Sequence, residues 1–173
     1  MGISKFCDEP LLAELHAYWC ERRGDRFAPA RSDIDPVDIP TLLPHIALTE
    51  IVAGEGGRRL RYRLAGTQIE RRFGCALTNR YLDDVKRGNY LHHIEALYAR
   101  ILAEKAPIYS EGSFKAGDSN VLRARHLMLP LSDDAETVNM VLAGIVYVDS
   151  DPSHRTTVLP VQDGFTAPRP EGS

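Results

Sequence analysis

Two adjacent histidines, His92 and His93, are the residues of this chain best suited to ligand chemistry. They fall in a segment predicted to be helical, where a neutral imidazole can bind a haem iron or accept a proton. At about 100° per residue, His92 points away from the apolar stripe of that helix, whereas His93 lies on its flank. We therefore expect His92 in solvent, and His93 at a boundary or at the edge of an internal pocket.

Further polar groups lie on the predicted strands that follow this helix. Tyr109 belongs to one strand, and Arg125 and His126 are neighbours on the next. Because consecutive strand residues face opposite sides of a sheet, only one of Arg125 and His126 can face the helices. The sequence leaves open which of the two does so.

A basic cluster surrounds residues 61–74, RYRLAGTQIERRFG, where a predicted strand turns into a helix at Gly66. Alternate arginines on a strand protect a sheet edge from aggregation, which is the simplest interpretation. If Arg63 faces inward, its charge requires an anionic ligand or an internal carboxylate. The chain has neither a GxGxxG nor a GxxxxGK[ST] motif, so phosphate binding at this corner is the weaker interpretation. The cluster consists of Arg58, Arg59, Arg61, Arg63, Arg71 and Arg72.

Two short segments resemble blocks of the GDSL esterases, namely GDS at 117–119 and DPSH at 151–154. In such an enzyme Ser119 would attack the ester, and the second block would supply the aspartate and the histidine. That chemistry requires the serine at the end of an early parallel strand. Ser119 instead falls in a predicted hairpin turn, where Gly, Asp and Ser are common. We therefore predict that the protein is not an enzyme and has no catalytic residues.

The composition narrows the class of protein. The 173 residues carry a formal net charge of -3 and give a pI of about 6.1, whereas nucleic-acid-binding domains usually have a strong basic excess. The three cysteines form no CxxC pair, and no metal site is predicted. The N-terminus lacks the pattern of a signal peptide, and no segment approaches the roughly 20 apolar residues of a membrane span. We expect a cytoplasmic protein that binds neither nucleic acid nor membrane.

Hydrophobic periodicity predicts the elements that position these residues. Two long helices are predicted, an amphipathic one at 8–23 that Asp8 can cap and another at 89–104, with a short helix at 67–73 between them. Strands are predicted at 45–52, 58–65, 107–115, 121–132 and 137–148. The last strand is apolar on both faces and belongs in the centre of a sheet, whereas the arginine-rich one suits an edge.

This element order predicts an α+β fold with one five-stranded antiparallel sheet. Helices cover one face, and the N-terminal amphipathic helix is left to cover the other. Residues 1–150 are predicted to form a single domain. Residues 151–173, which are rich in Pro, Ser and Gly, are predicted to form an extended or flexible tail.

The segments DIDPVDIPTLLPHIALTEI, YRLAGTQIERRFG and LTNRYLDDV, in this order, resemble the PAS domain superfamily. More narrowly, they resemble the single-domain PAS-like family of alphaproteobacteria. The resemblance implies that short helices leave the second strand and cover a pocket between sheet and helices. The corner is then structural, with Gly66 expected at a positive φ and Thr67 capping the helix.

The resemblance also brings two cofactors into consideration, haem and flavin. Haem-binding PAS sensors take an axial histidine from the helix that corresponds to 89–104, which makes His93 the candidate. Cys75 resembles the flavin-reactive cysteine of photosensing PAS domains, but its flanking residues do not match that motif and it follows the wrong helix. We therefore expect neither haem nor flavin, and the cofactor is unknown.

The function implied is that of a stand-alone sensory module, which binds a small molecule and acts in trans on a partner protein. The alternative is a ligand-free adaptor that docks a partner through its N-terminal helix or its sheet. The apolar stripe of the N-terminal helix has to be buried, either within its own subunit or against a twofold mate, and the sequence leaves open which. A homodimer through residues 8–23 is predicted. The predicted pocket residues are Tyr62 or Arg63, with Ile69, Phe73, His93, Leu97, Tyr109 and one of Arg125 and His126.

Overall fold

The computed structural model describes residues 8–85, 88–116 and 120–148. Four α-helices occur in this part of the chain: α1 (Pro10–Arg23), α2 (Thr67–Phe73), α3 (Leu82–Val85) and α4 (Gly88–Glu104). The strands are β1 (Ile46–Gly54), β2 (Gly57–Ala65), β3 (Ile108–Ala116), β4 (Asn120–Leu131) and β5 (Met140–Val148). The predicted tail at 151–173 lies outside the described residues, and so do both segments that resemble esterase blocks, 117–119 and 151–154.

The five strands form one antiparallel sheet in the order β2-β1-β5-β4-β3. The predicted α+β fold is confirmed, as is the central position of the last strand. The arginine-rich strand β2 lies at an edge, as predicted. A short segment covers part of that edge, because the Tyr62 N–H donates to the Arg80 carbonyl at 2.9 Å and the Asn79 N–H to the Tyr62 carbonyl at 2.7 Å.

One face of the sheet is covered by α1, which packs on β4 and β5. Leu12, Leu15 and Trp19 are buried there, and the Trp19 indole N–H donates to the Pro130 carbonyl at 2.9 Å. Gly144 on β5 permits this close approach, since a Cβ at that position would lie 2.7 Å from a Leu15 methyl carbon. The helix begins at Pro10 after Glu9, which makes no side-chain cap, so the predicted capping by Asp8 is wrong.

The opposite face is covered by α2, α3 and α4, and this helical face is where the predicted pocket would lie. Ile94, Leu97 and Ile101 of α4 are buried against it, as their spacing predicts. No helix in the described part of the chain is both long enough and apolar enough to cross a membrane.

The apolar stripe of α1 is buried within its own chain. Leu15 is 1% exposed and Trp19 is 2% exposed, so neither is available to anchor a second subunit. Burial within the same chain is the alternative that the sequence leaves open. Because the apolar stripe of α1 is already covered, its burial no longer requires a dimer through residues 8–23. The dimer itself stays a prediction.

The corner at Gly66 has a different cause from the predicted one. Gly66 has a φ of -69° and is itself the N-cap of α2, so the expected positive φ and the expected capping by Thr67 are both wrong. Glycine is required instead by close packing of two backbone segments. A Cβ at position 66 would lie 2.3 Å from the carbonyl oxygens of Leu43 and Pro44.

We expect Gly66→Ala to lower the free energy of unfolding by about 1–3 kcal/mol, because the backbone around residues 43–44 has to move to accommodate a methyl group. Urea denaturation measures this. The matched control is Gly56→Ala in the β1–β2 hairpin, where a Cβ would meet nothing within 4 Å. Equal midpoints for the two variants would contradict the steric explanation.

Candidate functional site

The structure divides the nine predicted pocket residues between the two faces of the sheet. Six pack on or within the helical face, namely Tyr62, Ile69, Phe73, His93, Leu97 and His126. The other three, Arg63, Tyr109 and Arg125, lie on the face of α1. The prediction that Tyr109 lines the same pocket as His93 is therefore wrong. The reason is the phase of β3, in which Ser110 rather than Tyr109 faces the helices.

The same alternation decides which of Arg125 and His126 faces the helices. His126 is fully buried on the helical face, next to α4. Arg125 points to the face of α1, where its Nη1 lies 3.5 Å from Glu9 Oε2 and its Nε lies 3.6 Å from Glu111 Oε1. Its carboxylate partners satisfy the charge of Arg125 within the chain.

Four buried side chains between α4 and the sheet form what we call the polar cluster: Tyr90, His93, Ser110 and His126. His93 Nε2 and Ser110 Oγ share a hydrogen bond of 2.9 Å. The Tyr90 hydroxyl and His126 Nε2 share a second one of 3.3 Å. The two imidazole rings are 6.2 Å apart between centroids, so the two pairs are neighbours.

Burial keeps His93 and Tyr90 of the polar cluster uncharged at neutral pH. Burial lowers the pKa of His93 to about 4, so that its imidazole is neutral. Burial also raises the pKa of Tyr90 well above its ordinary value, and it acts in the same direction on Tyr62, Tyr98 and Tyr147. The interior thus offers neutral hydroxyl and imidazole groups that can donate or accept hydrogen bonds.

Tyr90 and Ser110 belong to the polar cluster but are not among the predicted pocket residues. The sequence spacing does indicate the position of Tyr90, because it lies three residues before His93 and therefore on the same side of α4. The sequence indicates the position of Ser110 less clearly. It is two residues after Ile108, which is buried on the helical face, but the sequence alone does not assign a face to Ile108.

A groove of about 490 Å³ opens on the same face of the sheet, at its β2 edge, between β2, α3 and α4. Its wall includes Leu60, Leu82 and Tyr98, and Tyr98 also belongs to the buried core of the helical face. Arg59 lies on its rim, bound to Asp83 at 2.7 Å. A volume of this size accommodates a small organic molecule.

The structure locates His93 and Cys75, the two residues that the resemblance connects with haem and flavin. Haem ligation through His93 Nε2 would require its bond to Ser110 to break. Cys75 lies after Gly74, beyond the end of α2, and packs against the core. Within the described ranges, no group of three or more metal-ligating side chains is found.

The buried histidine makes the fold sensitive to acid. The pKa of His93 is about 4 in the folded chain and about 6.5 in an unfolded one, so between pH 6.5 and 4 the unfolded chain binds this proton and the folded chain does not. As the pH is lowered from 6.5 to 4, the free energy of unfolding should therefore fall by about 1.4 kcal/mol per pH unit. Above pH 6.5 the imidazole is neutral in both states, and no stability is lost through it.

We expect His93→Gln, which can retain a bond to Ser110, to remove that part of the pH dependence. Thermal unfolding followed at several pH values measures it. His92→Gln is the matched control, because His92 is exposed and should leave the profile unchanged. Parallel profiles for the wild type and His93→Gln would show that His93 does not contribute.

The chain is similar to solved structures at low sequence identity, among them the following three. The PAS domain from Bordetella pertussis BvgS is 12% identical, with 80% of this chain and 88% of that chain covered and a TM-score of 0.48. A fungal LOV domain photoreceptor is 10% identical over 68% and 94% of the two chains, with a TM-score of 0.44. An RNA-binding light-oxygen-voltage receptor is 16% identical over 69% and 35%, with a TM-score of 0.42. These likenesses are too distant to bear on ligand or mechanism.

The comparison of the sequence with protein families is more informative. A family model described as a PAS domain matches residues 7–146, which is most of the chain and includes β1 to β4 and all but the last two residues of β5. Among curated proteins, none matches the sequence. The strand order, the helices on one face and this match agree with the resemblance found in the sequence, and the chain belongs to the PAS domain family.

Proposed function

We propose that this PAS domain is a sensory module that binds an uncharged small molecule between the sheet and the helices and acts in trans on a partner protein. The observation that supports this most strongly is the polar cluster. His93, Ser110 and His126 are at most 1% exposed, yet they lie in an otherwise apolar core. Ligand sites commonly combine apolar walls with a few polar groups that fix orientation.

The charge of the site defines the class of ligand. His93 and Tyr90 are neutral at pH 7, and transfer of an ion into such a buried region costs several kcal/mol when no counter-charge is buried with it. The ligand is therefore uncharged and carries hydrogen-bonding atoms that match a hydroxyl or an imidazole. An amide, a phenol or a ketone has this chemistry.

The sheet provides a path from the ligand to the far face. His126 and Met128 of β4 face the helical side of the sheet, where the polar cluster lies. Leu127, which lies between them, faces the opposite side and packs in the apolar core beneath α1. A small shift of β4 on ligand binding would therefore change the packing of Leu12 and Trp19. We infer that α1 reports the bound state to the partner protein. The role is sensory rather than catalytic, and the three scattered cysteines favour the cytoplasm.

We expect native mass spectrometry of freshly purified protein to show a second species, heavier by the mass of one small molecule, that is lost on denaturation. Tyr90→Phe should weaken binding about fivefold, because it removes one hydrogen-bonding hydroxyl worth about 1 kcal/mol. Tyr109→Phe is the matched control, since it makes the same change on the opposite face.

An apo mass for the wild-type protein would contradict ligand sensing and would leave the ligand-free adaptor in its place. Equal occupancy in Tyr90→Phe and the wild type would contradict the polar cluster as the site while retaining the ligand. Thermal shift supplies an independent measure, because a ligand at 100 times its dissociation constant stabilises by about 2.7 kcal/mol.

A homodimer through residues 8–23 would have to use the outer side of α1, since the inner side is buried. Glu14, Ala17 and Glu21 are exposed there. If the dimer forms, Ala17→Glu should dissociate it by adding a like charge between two glutamates, which sedimentation velocity at tens of micromolar would detect. Ala76→Glu in an exposed loop is the control. A wild-type monomer at that concentration would contradict the dimer.

A further inference from the structure

A second cavity, of about 390 Å³, opens on the face of the sheet that carries α1. Its floor is apolar and includes Leu48, Leu64 and Met140. Because α1 packs on β4 and β5, the β1–β2 part of this face is lined instead by the connection that contains Arg31. The cavity is therefore separated by the sheet from the polar cluster, and it is independent of the function proposed above.

Arg63 lines this cavity at a bulge in β2. Leu48 pairs with Leu64 and Thr49 pairs with Tyr62, so Arg63 is the extra residue of β2 at this register shift. A bulge changes the direction of the side chain that it carries, and bulges are common beside functional sites. The Arg63 side chain is 46% exposed, which leaves its guanidinium accessible to a small solute.

The carboxylates that line the cavity are already engaged. Glu50 Oε2 accepts hydrogen bonds from the Arg61 guanidinium at 3.1 and 2.5 Å, whereas the nearest Arg63 nitrogen is 4.0 Å away. Asp133 accepts a bond from the Arg31 backbone N–H at 3.1 Å. The charge of Arg63 is thus only partly compensated by Glu50, which is bound more closely by Arg61.

Arg31 is a second arginine that lines this cavity. Its Nη1 donates to the Ile34 carbonyl at 2.8 Å, which holds the side chain in place and uses one of its five N–H donors. Two cations beside an apolar floor form an amphipathic site. Such a site is complementary to a molecule with an anionic head and a short apolar tail.

We propose that this cavity binds a small aliphatic monocarboxylate. Arg63 and Arg31 hold the carboxylate through charge-assisted hydrogen bonds, for which the planar guanidinium has a matching pair of donors. Leu48, Leu64 and Met140 cover the aliphatic tail and so distinguish the ligand from an inorganic anion. This site recognises charge, whereas the polar cluster on the other face excludes it.

The test uses hexanoate as the probe, with hexanamide as its neutral counterpart and inorganic phosphate as an anion without a tail. Amide chemical shifts of the full chain are followed during each titration. We expect saturable hexanoate binding that perturbs the amides of residues 48, 63, 64 and 140, with hexanamide and phosphate each weaker by about tenfold or more.

Arg63→Gln should weaken hexanoate binding by about tenfold and remove the preference for hexanoate over hexanamide. Arg71→Gln, which alters an exposed arginine on α2, should bind as the wild type does. Equal affinity of Arg63→Gln and wild type, or absence of saturable binding, would overturn the proposal. So would equal affinity for hexanoate and phosphate, or perturbations confined to the helical face. Ligand loss in Tyr90→Phe tests the other site and has no bearing on this result.

Discussion

Burial of both faces of β5 is the constraint on which the rest of the structure depends. Val141, Ala143 and Ile145 pack on the helical side of this central strand, and Met140 and Leu142 pack on the side of α1. A strand of this kind is stable only when each face is covered by another layer, because exposed apolar surface costs free energy in proportion to its area. The sheet therefore needs α1 as much as it needs the three later helices.

The pleat of the sheet separates two kinds of polar chemistry. On β3 and β4, the residues that face α4 include the neutral Ser110 and His126, whereas Glu111 and Arg125 face the other way and pair with each other. Charges are tolerated on the α1 side because that end of the face is partly solvated, so each such ion pair adds little stability. The helical side is dry, and there only neutral groups with hydrogen-bond partners are tolerated.

This separation explains how the two proposed sites, of opposite selectivity, could share one small sheet. The site under α4 has donors and acceptors but no buried charge among the described residues, which suits an uncharged molecule. The cavity beside Arg63 lies where the cover by α1 ends, so a guanidinium can remain charged there and still lie against apolar side chains. The polar cluster uses β3 and β4, whereas the cavity uses β1, β2 and the start of β5, so the two proposed sites contact different strands.

The sequence by itself determined the helices, the strands and their layers, because these follow from local periodicity and from the demand that every apolar face be covered. It did not determine the phase of β3, since alternation defines two sets of residues without assigning either to a face; Tyr109 was expected where Ser110 lies. Nor did it give the reason for Gly66, which is contact with the backbone of Leu43 and Pro44, more than twenty residues earlier. The direction of Arg63 depends on a bulge in its pairing with β1. Such features arise from contacts between distant segments, and only the tertiary structure brings those segments together.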